Sequence, residues 1–210
     1  MELQLALDLV NIPEAKEVVK EVAPYIDIVE IGTPVVINEG LRAVKEIKDE
    51  FPALKVLADL KIMDAGGYEV MKASEAGADI ITVLGVSDDS TIKGAVDEAR
   101  KQNKKIMVDM INVKDIAGRA QEIDSLGVDY ICVHSGYDHQ AAGKNSFEDL
   151  ATIKRVVKQA KTAIAGGIKL QTLPEVISAQ PDLVIVGGGI TGSADKQAVA
   201  AQMQQLIKQG

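Results

Sequence analysis

The densest group of residues able to do chemistry is the segment Asp59-x-Lys61-x-x-Asp64, which begins inside an apolar run. In an extended chain, residues two apart point to the same side, so Asp59 and Lys61 can share one pocket. An ammonium between carboxylates stays charged and is able to stabilise an anion that forms on a substrate. From the residues alone, a structural salt bridge between Asp59 and Lys61 is the alternative.

Glu30 lies in a second apolar run, Ile28–Ile31. A carboxylate in such a run needs a partner, because an isolated buried charge is too costly. Together with Asp59, Glu30 can supply the oxygen ligands of Mg²⁺ or Mn²⁺, with waters and substrate oxygens completing the shell. An ion pair between Glu30 and Lys61 is the competing interpretation.

The sequence contains two histidines, and their placements differ. His134 follows the apolar run Tyr130–Val133, and an imidazole at such a position is suited to general acid or base catalysis near neutral pH. A histidine that merely fills a loop is the alternative. His139 has no comparable placement and is interpreted as a loop residue. Asp8 and Asp109 also follow apolar runs, and either could instead cap the next helix.

Two glycine turns predict a phosphate site. Backbone N–H groups in such turns, after the seventh and eighth strands of a barrel, bind phosphate esters without basic side chains. An acidic chain of formal net charge −8 can therefore bind such an ester. The residues concerned are Ala165, Gly166, Gly167, Gly187, Gly188 and Gly189.

Apolar runs that resemble buried parallel strands alternate with helical patterns along the whole chain. The predicted strands cover residues 3–7, 27–31, 55–60, 79–84, 105–111, 130–133, 162–165 and 183–186. The clearest predicted helices cover residues 13–22, 38–49, 68–75, 90–101 and 114–125, and the stretches 135–146 and 187–193 are predicted to be irregular.

Eight strand–helix units in 210 residues predict a compact (β/α)8 barrel, an α/β fold, as one domain over residues 1–210. An open doubly wound sheet is the alternative, but no Gly-x-Gly-x-x-Gly follows the first strand. In a barrel, the polar residues at the carboxyl ends of the strands converge on one face and build the site.

Composition narrows the classes of function. A chain with 23 basic and 31 acidic residues, no Trp and 3% aromatic residues is poorly suited to binding nucleic acid. No apolar run reaches the roughly 20 residues that span a bilayer, and no signal peptide is recognisable at the acidic amino terminus. A single cysteine, Cys132, cannot form an internal disulfide, which favours a cytoplasmic protein acting on small molecules.

With these residues in place, the sequence resembles the orotidine 5′-monophosphate decarboxylase suprafamily over essentially its whole length. The resemblance rests on Asp8, Glu30, the Asp59-x-Lys61-x-x-Asp64 motif, His134 and the two glycine turns. Within the suprafamily, the run from His134 through Tyr137, Asp138 and Gln140 to Gly143 is similar to the branch that joins formaldehyde to ribulose 5-phosphate.

The resemblance implies a Mg²⁺-dependent aldolase, a lyase forming D-arabino-hex-3-ulose 6-phosphate through a metal-stabilised enediolate. Glu30 and Asp59 would hold the metal, His134 would remove the C1 proton, and Lys61 would stabilise the enediolate. Asp8 and Asp109 would bind substrate hydroxyls, and the glycine turns the phosphate. Asp64 would reach across the interface of a homodimer into the partner's site, with residues 34–37 and the surroundings of Met63 as contact surface.

The closest alternative is the sister branch, 3-keto-L-gulonate-6-phosphate decarboxylase, from which the chain departs at four positions. That branch has Glu, Arg, Thr and Arg where this sequence has Asp109, Tyr137, Ala165 and Gly188. Two missing guanidiniums leave less positive charge to bind a carboxylated substrate.

Orotidylate decarboxylase itself is disfavoured because Ala65 follows Asp64 where that enzyme has Ile. A non-catalytic phosphate-binding barrel and a sugar-phosphate epimerase are further alternatives, although two histidines cannot easily supply an epimerase's multi-histidine metal site.

Overall fold

The computed structural model of the protein describes residues 1–9, 11–138 and 146–209. Eight parallel strands close into a barrel in chain order, with the last strand beside the first. This arrangement confirms the predicted (β/α)8 barrel and excludes the open sheet. The strands are β1 (Glu2–Leu7), β2 (Ile28–Ile31), β3 (Lys55–Ile62), β4 (Ile80–Leu84), β5 (Lys105–Asp109), β6 (Tyr130–His134), β7 (Lys161–Ala165) and β8 (Leu183–Val186).

Helices follow the strands and cover the outside of the barrel. In the described part of the chain they are α1 (Ile12–Val22), α2 (Thr33–Glu39), α3 (Arg42–Glu50), α4 (Gly66–Glu75), α5 (Asp89–Lys101), α6 (Ile116–Ser125), α7 (Phe147–Val156), α8 (Leu173–Ser178), α9 (Gly188–Thr191) and α10 (Lys196–Gln209). A short 3₁₀ turn, Ala23–Tyr25, follows α1. None of these helices is long and apolar enough to cross a membrane.

Two local predictions were wrong. The single helix predicted over residues 38–49 is two helices, because Gly40 adopts a left-handed backbone with φ of 63° and ends α2. The second helix then restarts at Arg42. The stretch 187–193, predicted to be irregular, contains the one-turn helix α9.

The barrel interior is filled by side chains from alternate strands, and its chemistry changes along the barrel axis. Apolar residues such as Ile28, Leu57 and Met107 fill the middle. At the amino-terminal mouth, Lys55 pairs with Glu2 at 2.6 Å. At the opposite mouth, the strand registers place acidic and basic residues on neighbouring strands.

The larger core lies between the strands and the helices. Outward-facing residues such as Leu3, Leu5 and Leu7 of β1 are fully buried there against apolar helix residues. Helix α1 shows why these segments are helical: its apolar residues recur at three- and four-residue steps, and the Asn11 side chain caps it by accepting from the Glu14 N–H at 3.0 Å. The rigid outer shell fixes where each strand ends, and hence where the polar side chains stand.

Candidate active site

A bulge at the carboxyl end of β3 positions Asp59 and Lys61. The pairing of β3 with β4 shifts register between Ala58 and Ile62, so β3 carries extra residues there. Lys61 adopts a left-handed backbone with φ of 48°, a conformation that is uncommon for residues other than glycine. The bulge turns Lys61 back so that its Nζ donates to Asp59 Oδ2. The predicted proximity of Asp59 and Lys61 is therefore present.

Two threonines hold the Asp59 carboxylate, which is only 5% exposed. Thr82 Oγ1 donates to Asp59 Oδ1 at 2.7 Å, and Thr33 Oγ1 lies 2.9 Å from Asp59 Oδ2. Neither threonine was singled out from the sequence. The signal for Thr82 was a hydroxyl inside the otherwise apolar strand β4.

The Lys61 ammonium lies among carboxylates. Its Nζ is 3.6 Å from Asp109 Oδ2 in addition to its contact with Asp59. Burial acts to lower the pKa of Lys61, but the charges of Asp59 and Asp109 outweigh it and raise that pKa above its ordinary value. Lys61 is therefore a fixed cation, suited to stabilising negative charge on a substrate and unsuited to acting as a base.

Glu30 lies one layer deeper in the barrel, on β2. Its Oε2 accepts from Gln4 Nε2 at 2.6 Å, a partner that the sequence reasoning missed. Burial, and then the charges of Asp59 and Asp8, raise the pKa of Glu30 well above its ordinary value. Among the ion pairs of the described residues, Lys61 contacts Asp59 and Asp109, so the alternative of a Glu30–Lys61 pair does not hold.

Asp8 follows β1 and faces the same mouth. A Cβ at Gly32, after β2, would lie 2.7 Å from the Leu7 carbonyl oxygen and 2.1 Å from Asp8 Oδ1, so glycine allows the close approach of this backbone to Asp8. Desolvation, and then the charge of Asp59, raise the pKa of Asp8, while Lys61 and His134 oppose the rise. Asp8, Glu30 and Asp59 thus form one electrostatically strained group of carboxylates.

His134 and Asp109 form a hydrogen-bonded pair on adjacent strands. His134 Nδ1 lies 2.9 Å from Asp109 Oδ2, and Asp109 Oδ1 accepts from the Ile111 N–H at 2.9 Å. Burial acts to raise the pKa of Asp109, but the contact with His134, the charge of Lys61 and the Ile111 N–H lower it. Asp109 was predicted to bind a substrate hydroxyl. The structure shows that its carboxylate contacts His134 and Lys61, so Asp109 can also orient the imidazole.

The two glycine turns stand side by side after β7 and β8. Gly166 and Gly167 have φ of 104° and 69°, and a Cβ at Gly166 would lie 2.3 Å from the Ser135 carbonyl oxygen. Ala165 is nearly buried, and its carbonyl accepts from the Ser135 N–H at 3.2 Å. In the second turn, nothing lies within 4 Å of a Cβ at Gly188, whereas a Cβ at Gly189 would lie 2.4 Å from the Ile168 carbonyl oxygen.

The first turn of α9 begins at Gly188, with Gly187 as its amino-terminal cap. Side-chain-free backbone therefore borders open space at this turn, as a bound phosphate oxygen requires. Gly187 itself lies near Asp8, since a Cβ there would be 3.6 Å from Asp8 Oδ2.

The donor set fits Mg²⁺. Glu30 and Asp59 offer carboxylate oxygens, and the mutual repulsion that raises the pKa of Glu30 would be relieved by a cation. Within residues 1–9, 11–138 and 146–209, no cluster of three or more His, Cys, Asp or Glu side chains forms a ready cage for a metal. Mg²⁺ suits such a site because it commonly uses one or two carboxylates together with waters and substrate oxygens.

Asp64 stands apart from the other predicted site residues. It lies beyond β3 on the surface, where its Oδ1 accepts from the Ala65 N–H at 2.7 Å. The structure thus brings Asp59 and Lys61 together but leaves Asp64 outside their pocket.

Of the sequence motif that begins at His134, Tyr137 is 79% exposed. His139, Gln140 and Gly143 of the sequence motif lie outside the described residues.

The fold and the site define an α/β-barrel enzyme whose acid–base residues and anion-binding turns share the carboxyl face of the strands. A family model described as orotidine 5′-phosphate decarboxylase / HUMPS family matches residues 1–203. The chain therefore belongs to this family.

Two similar proteins and one similar crystal structure bear the same name. A 3-hexulose-6-phosphate synthase of Bacillus subtilis (strain 168) is 80% identical over 210 residues, covering 100% of both chains. Another from Staphylococcus haemolyticus (strain JCSC1435) is 54% identical over 208 residues, covering 99% of both. The crystal structure of 3-hexulose-6-phosphate synthase from Salmonella typhimurium superposes with a TM-score of 0.98 at 44% identity, covering 100% of this chain and 99% of that one.

Proposed function

We propose that the protein is an aldolase that condenses formaldehyde with D-ribulose 5-phosphate to D-arabino-hex-3-ulose 6-phosphate. The observation that carries the proposal is the position of Asp109, which contacts both His134 and Lys61. One carboxylate thus holds a base and a fixed cation at the same mouth. Relatives up to 80% identical bear the name 3-hexulose-6-phosphate synthase, which supports this reaction over others on the fold.

In the proposed reaction, His134 removes the proton from C1 of ribulose 5-phosphate, and the electrons of the C–H bond form an enediolate across C1 and C2. Asp109 holds the imidazole through Nδ1, so the proton goes to Nε2. Carbon C1 then attacks the formaldehyde carbon, forming the new C–C bond. The carbonyl at C2 re-forms, and the formaldehyde oxygen takes the proton from His134 Nε2 and becomes the new hydroxyl group, which restores the base.

Lys61 supplies a positive charge beside the developing enediolate without losing its own proton, because Asp59 and Asp109 stabilise the ammonium. Glu30 and Asp59 would hold Mg²⁺, which when bound supplies Lewis-acid stabilisation of negative charge on substrate oxygen. Asp8 contributes a carboxylate that can accept hydrogen bonds from substrate hydroxyls. The turns at Gly166–Gly167 and Gly187–Gly189 would bind the phosphate.

We also propose a homodimer in which Asp64 serves the site of the partner subunit. Its surface position, away from Asp59 and Lys61 of its own chain, supports this arrangement. A cytoplasmic location belongs to the same proposal, since the chain's one cysteine, Cys132, is free and buried.

The test offers the purified protein ribulose 5-phosphate with formaldehyde and, separately, 3-keto-L-gulonate 6-phosphate. We expect consumption of formaldehyde to give the hexulose phosphate, and at most slow release of CO₂ from the second compound. Faster decarboxylation than condensation would instead assign the chain to the sister activity. Binding of both phosphates without turnover of either would leave a non-catalytic barrel.

The metal requirement is tested in the same assay. Because Glu30 and Asp59 are the proposed ligands, EDTA should abolish condensation, and Mg²⁺ or Mn²⁺ should restore it. The control is EDTA saturated with Mg²⁺ beforehand, which should leave activity intact. Full activity after exhaustive chelation would remove Glu30 and Asp59 from the metal role.

A further inference from the structure

Thr82 connects the two residues that the β3 bulge displaces. It lies on β4 with its side chain facing the barrel interior and is 3% exposed. Its Oγ1 accepts from the Lys61 backbone N–H at 2.9 Å and donates to Asp59 Oδ1 at 2.7 Å. A hydroxyl has one donor and two acceptor lone pairs, so it can make both bonds at once.

The bulge explains why such a group is needed. Regular pairing of β3 with β4 is interrupted after Ala58 and resumes at Ile62 with Val83. The Lys61 N–H therefore donates to a side-chain oxygen of β4. In a regular strand pair it would donate to a backbone carbonyl of the neighbouring strand. A buried N–H without any acceptor would be costly, and the Thr82 hydroxyl replaces the missing one.

The same hydroxyl restricts the catalytic side chains. Lys61 has a positive φ of 48°, which is unfavourable for a residue with a side chain, and the bond from its N–H to Thr82 helps to hold it. Asp59 has one oxygen bonded by Thr82, which leaves Oδ2 turned toward Lys61 Nζ and Thr33. The bonds from Lys61 N–H to Thr82 and from Thr82 to Asp59 run in one direction, so each polarises the next.

We infer that Thr82 is a positioning residue that holds the bulged backbone of Lys61 and the carboxylate of Asp59 in their active arrangement. The inference rests on the proposed function, in which Lys61 stabilises the enediolate and Asp59 is a metal ligand. Both of those roles depend on the geometry that the Thr82 hydroxyl holds, although Thr82 is remote from the phosphate turns.

The test compares Thr82→Val, which keeps the branched shape without the hydroxyl, with Thr82→Ser, which keeps the hydroxyl. The matched control is Thr162→Val on β7. Thr162 is 6% exposed, and its Oγ1 donates to Asp182 Oδ2 at 3.1 Å at the opposite end of the barrel. Each variant is measured for kcat with ribulose 5-phosphate and formaldehyde, for Mn²⁺ affinity by electron paramagnetic resonance, and for Tm.

Loss of an outer-shell partner typically costs about 10–100-fold in activity or metal affinity, and Thr82→Val should lose that much in kcat, Mn²⁺ affinity or both. Thr82→Ser and Thr162→Val should stay within about 3-fold of wild type in both measurements, a window well inside that loss. If Thr82→Val does not fold, Thr82→Ala carries the same expectation, because it removes the hydroxyl without placing a methyl group against Asp59.

Wild-type values of kcat and Mn²⁺ affinity in the hydroxyl-free variant would overturn the inference. Equal losses in Thr82→Val and Thr82→Ser would overturn it too, since shape rather than the hydroxyl would then matter, and so would an equal loss in Thr162→Val. A wild-type protein that fails to condense formaldehyde would instead refute the proposed function, independently of how the variants rank in Mn²⁺ affinity.

Discussion

At the scale of single residues, the site depends on shared partners more than on isolated groups. Asp109 contacts both His134 and Lys61, and Asp59 contacts both Lys61 and Thr82. A substitution at a shared carboxylate therefore changes two groups together. The imidazole is simpler to test, because His134 has its described side-chain contact through one nitrogen only.

The variant His134→Asn retains hydrogen bonding but cannot accept the C1 proton. Exchange of that proton of ribulose 5-phosphate with D₂O, without formaldehyde, should fall by about 10²–10⁴-fold, the usual contribution of a general base. Proton NMR of the C1 position measures the rate. His139→Asn is the matched control, being the same change at the chain's other histidine, and should exchange at the wild-type rate. Wild-type exchange in His134→Asn would mean that another group is the base.

The site residues were accessible to sequence reasoning where a strand simply ends, as at Glu30 and His134. Asp59 and Lys61 were predicted to meet through the two-residue alternation of a strand, but in the structure a bulge and a left-handed backbone bring them together. The roles of Thr82 and Gln4 depend on which strands are neighbours in space. The predicted barrel already makes β1 and β2, and β3 and β4, neighbours, but the sequence does not give the register of each pair or the bulge in β3.

At the scale of elements, the strand–helix repeat contains a set of aspartates that connect neighbouring strands by hydrogen bonds. An aspartate precedes every even-numbered strand, and its carboxylate accepts the N–H near the start of the preceding strand in the barrel. The four pairs are Asp27 with Leu3, Asp79 with Val56, Asp129 with Ile106, and Asp182 with Thr162. These four aspartates tie neighbouring strands together at the amino-terminal mouth, and two of them, Asp79 and Asp129, stand in the sequence pattern Gly-x-Asp.

Asp79 adds ion pairs to this tie, with Lys48 at 2.8 Å and Lys104 at 3.3 Å. Burial acts to raise the pKa of Asp79, but the Lys48 hydrogen bond, the Val56 N–H and the charges of both lysines lower it. A carboxyl whose folded pKa is depressed stabilises the fold above its unfolded pKa. That contribution disappears as the pH falls through the folded pKa.

The variant Asp79→Asn should therefore lose about 1–3 kcal/mol of unfolding free energy at pH 7, as expected for hydrogen bonds to a charged group. The difference from wild type should shrink steadily below about pH 4, near the ordinary carboxyl pKa. Urea unfolding at a series of pH values measures it. Asp49→Asn is the control, because the ion pair that Asp49 makes within the described residues is an exposed helical pair with Lys45. A pH-independent gap between Asp79→Asn and wild type would refute the electrostatic explanation.

The helical elements show where sequence patterns lose precision. The predicted strands match the observed ones to within one or two residues, because buried parallel strands are continuous apolar runs. The break between α2 and α3 was missed, since Gly40 interrupts a pattern that stays amphipathic on both sides. Helices α7 to α10 were not predicted individually, because glycine turns and polar stretches between β6 and the end obscure their periodicity.

At the scale of the whole molecule, apolar side chains remain exposed near the end of β3. Ile37 is 78% exposed, Met63 54% and Tyr68 62%. Residues 34–37 were predicted to contribute contact surface, but Val35 is only 1% exposed and packs in the monomer's own core. Within residues 34–37, Ile37 therefore stays available as contact surface for the proposed homodimer, together with Met63 and its exposed neighbours.

A mixed-subunit experiment tests whether Asp64 completes the partner's site. Lys61→Ala and Asp64→Ala should each be inactive alone, because each homodimer would have the same lesion in both of its sites. An isologous interface makes the sharing reciprocal, so a heterodimer contains one site with both lesions and one with neither. Random exchange makes half of the dimers heterodimers, and about a quarter of wild-type activity should return under this two-site symmetry.

The control mixes Lys61→Ala with Asp59→Ala. Both lesions fall in the part of the site that one chain supplies, so every site stays defective and no activity returns. If Lys61→Ala and Asp64→Ala also recover nothing after proven subunit exchange, each site is built within a single chain.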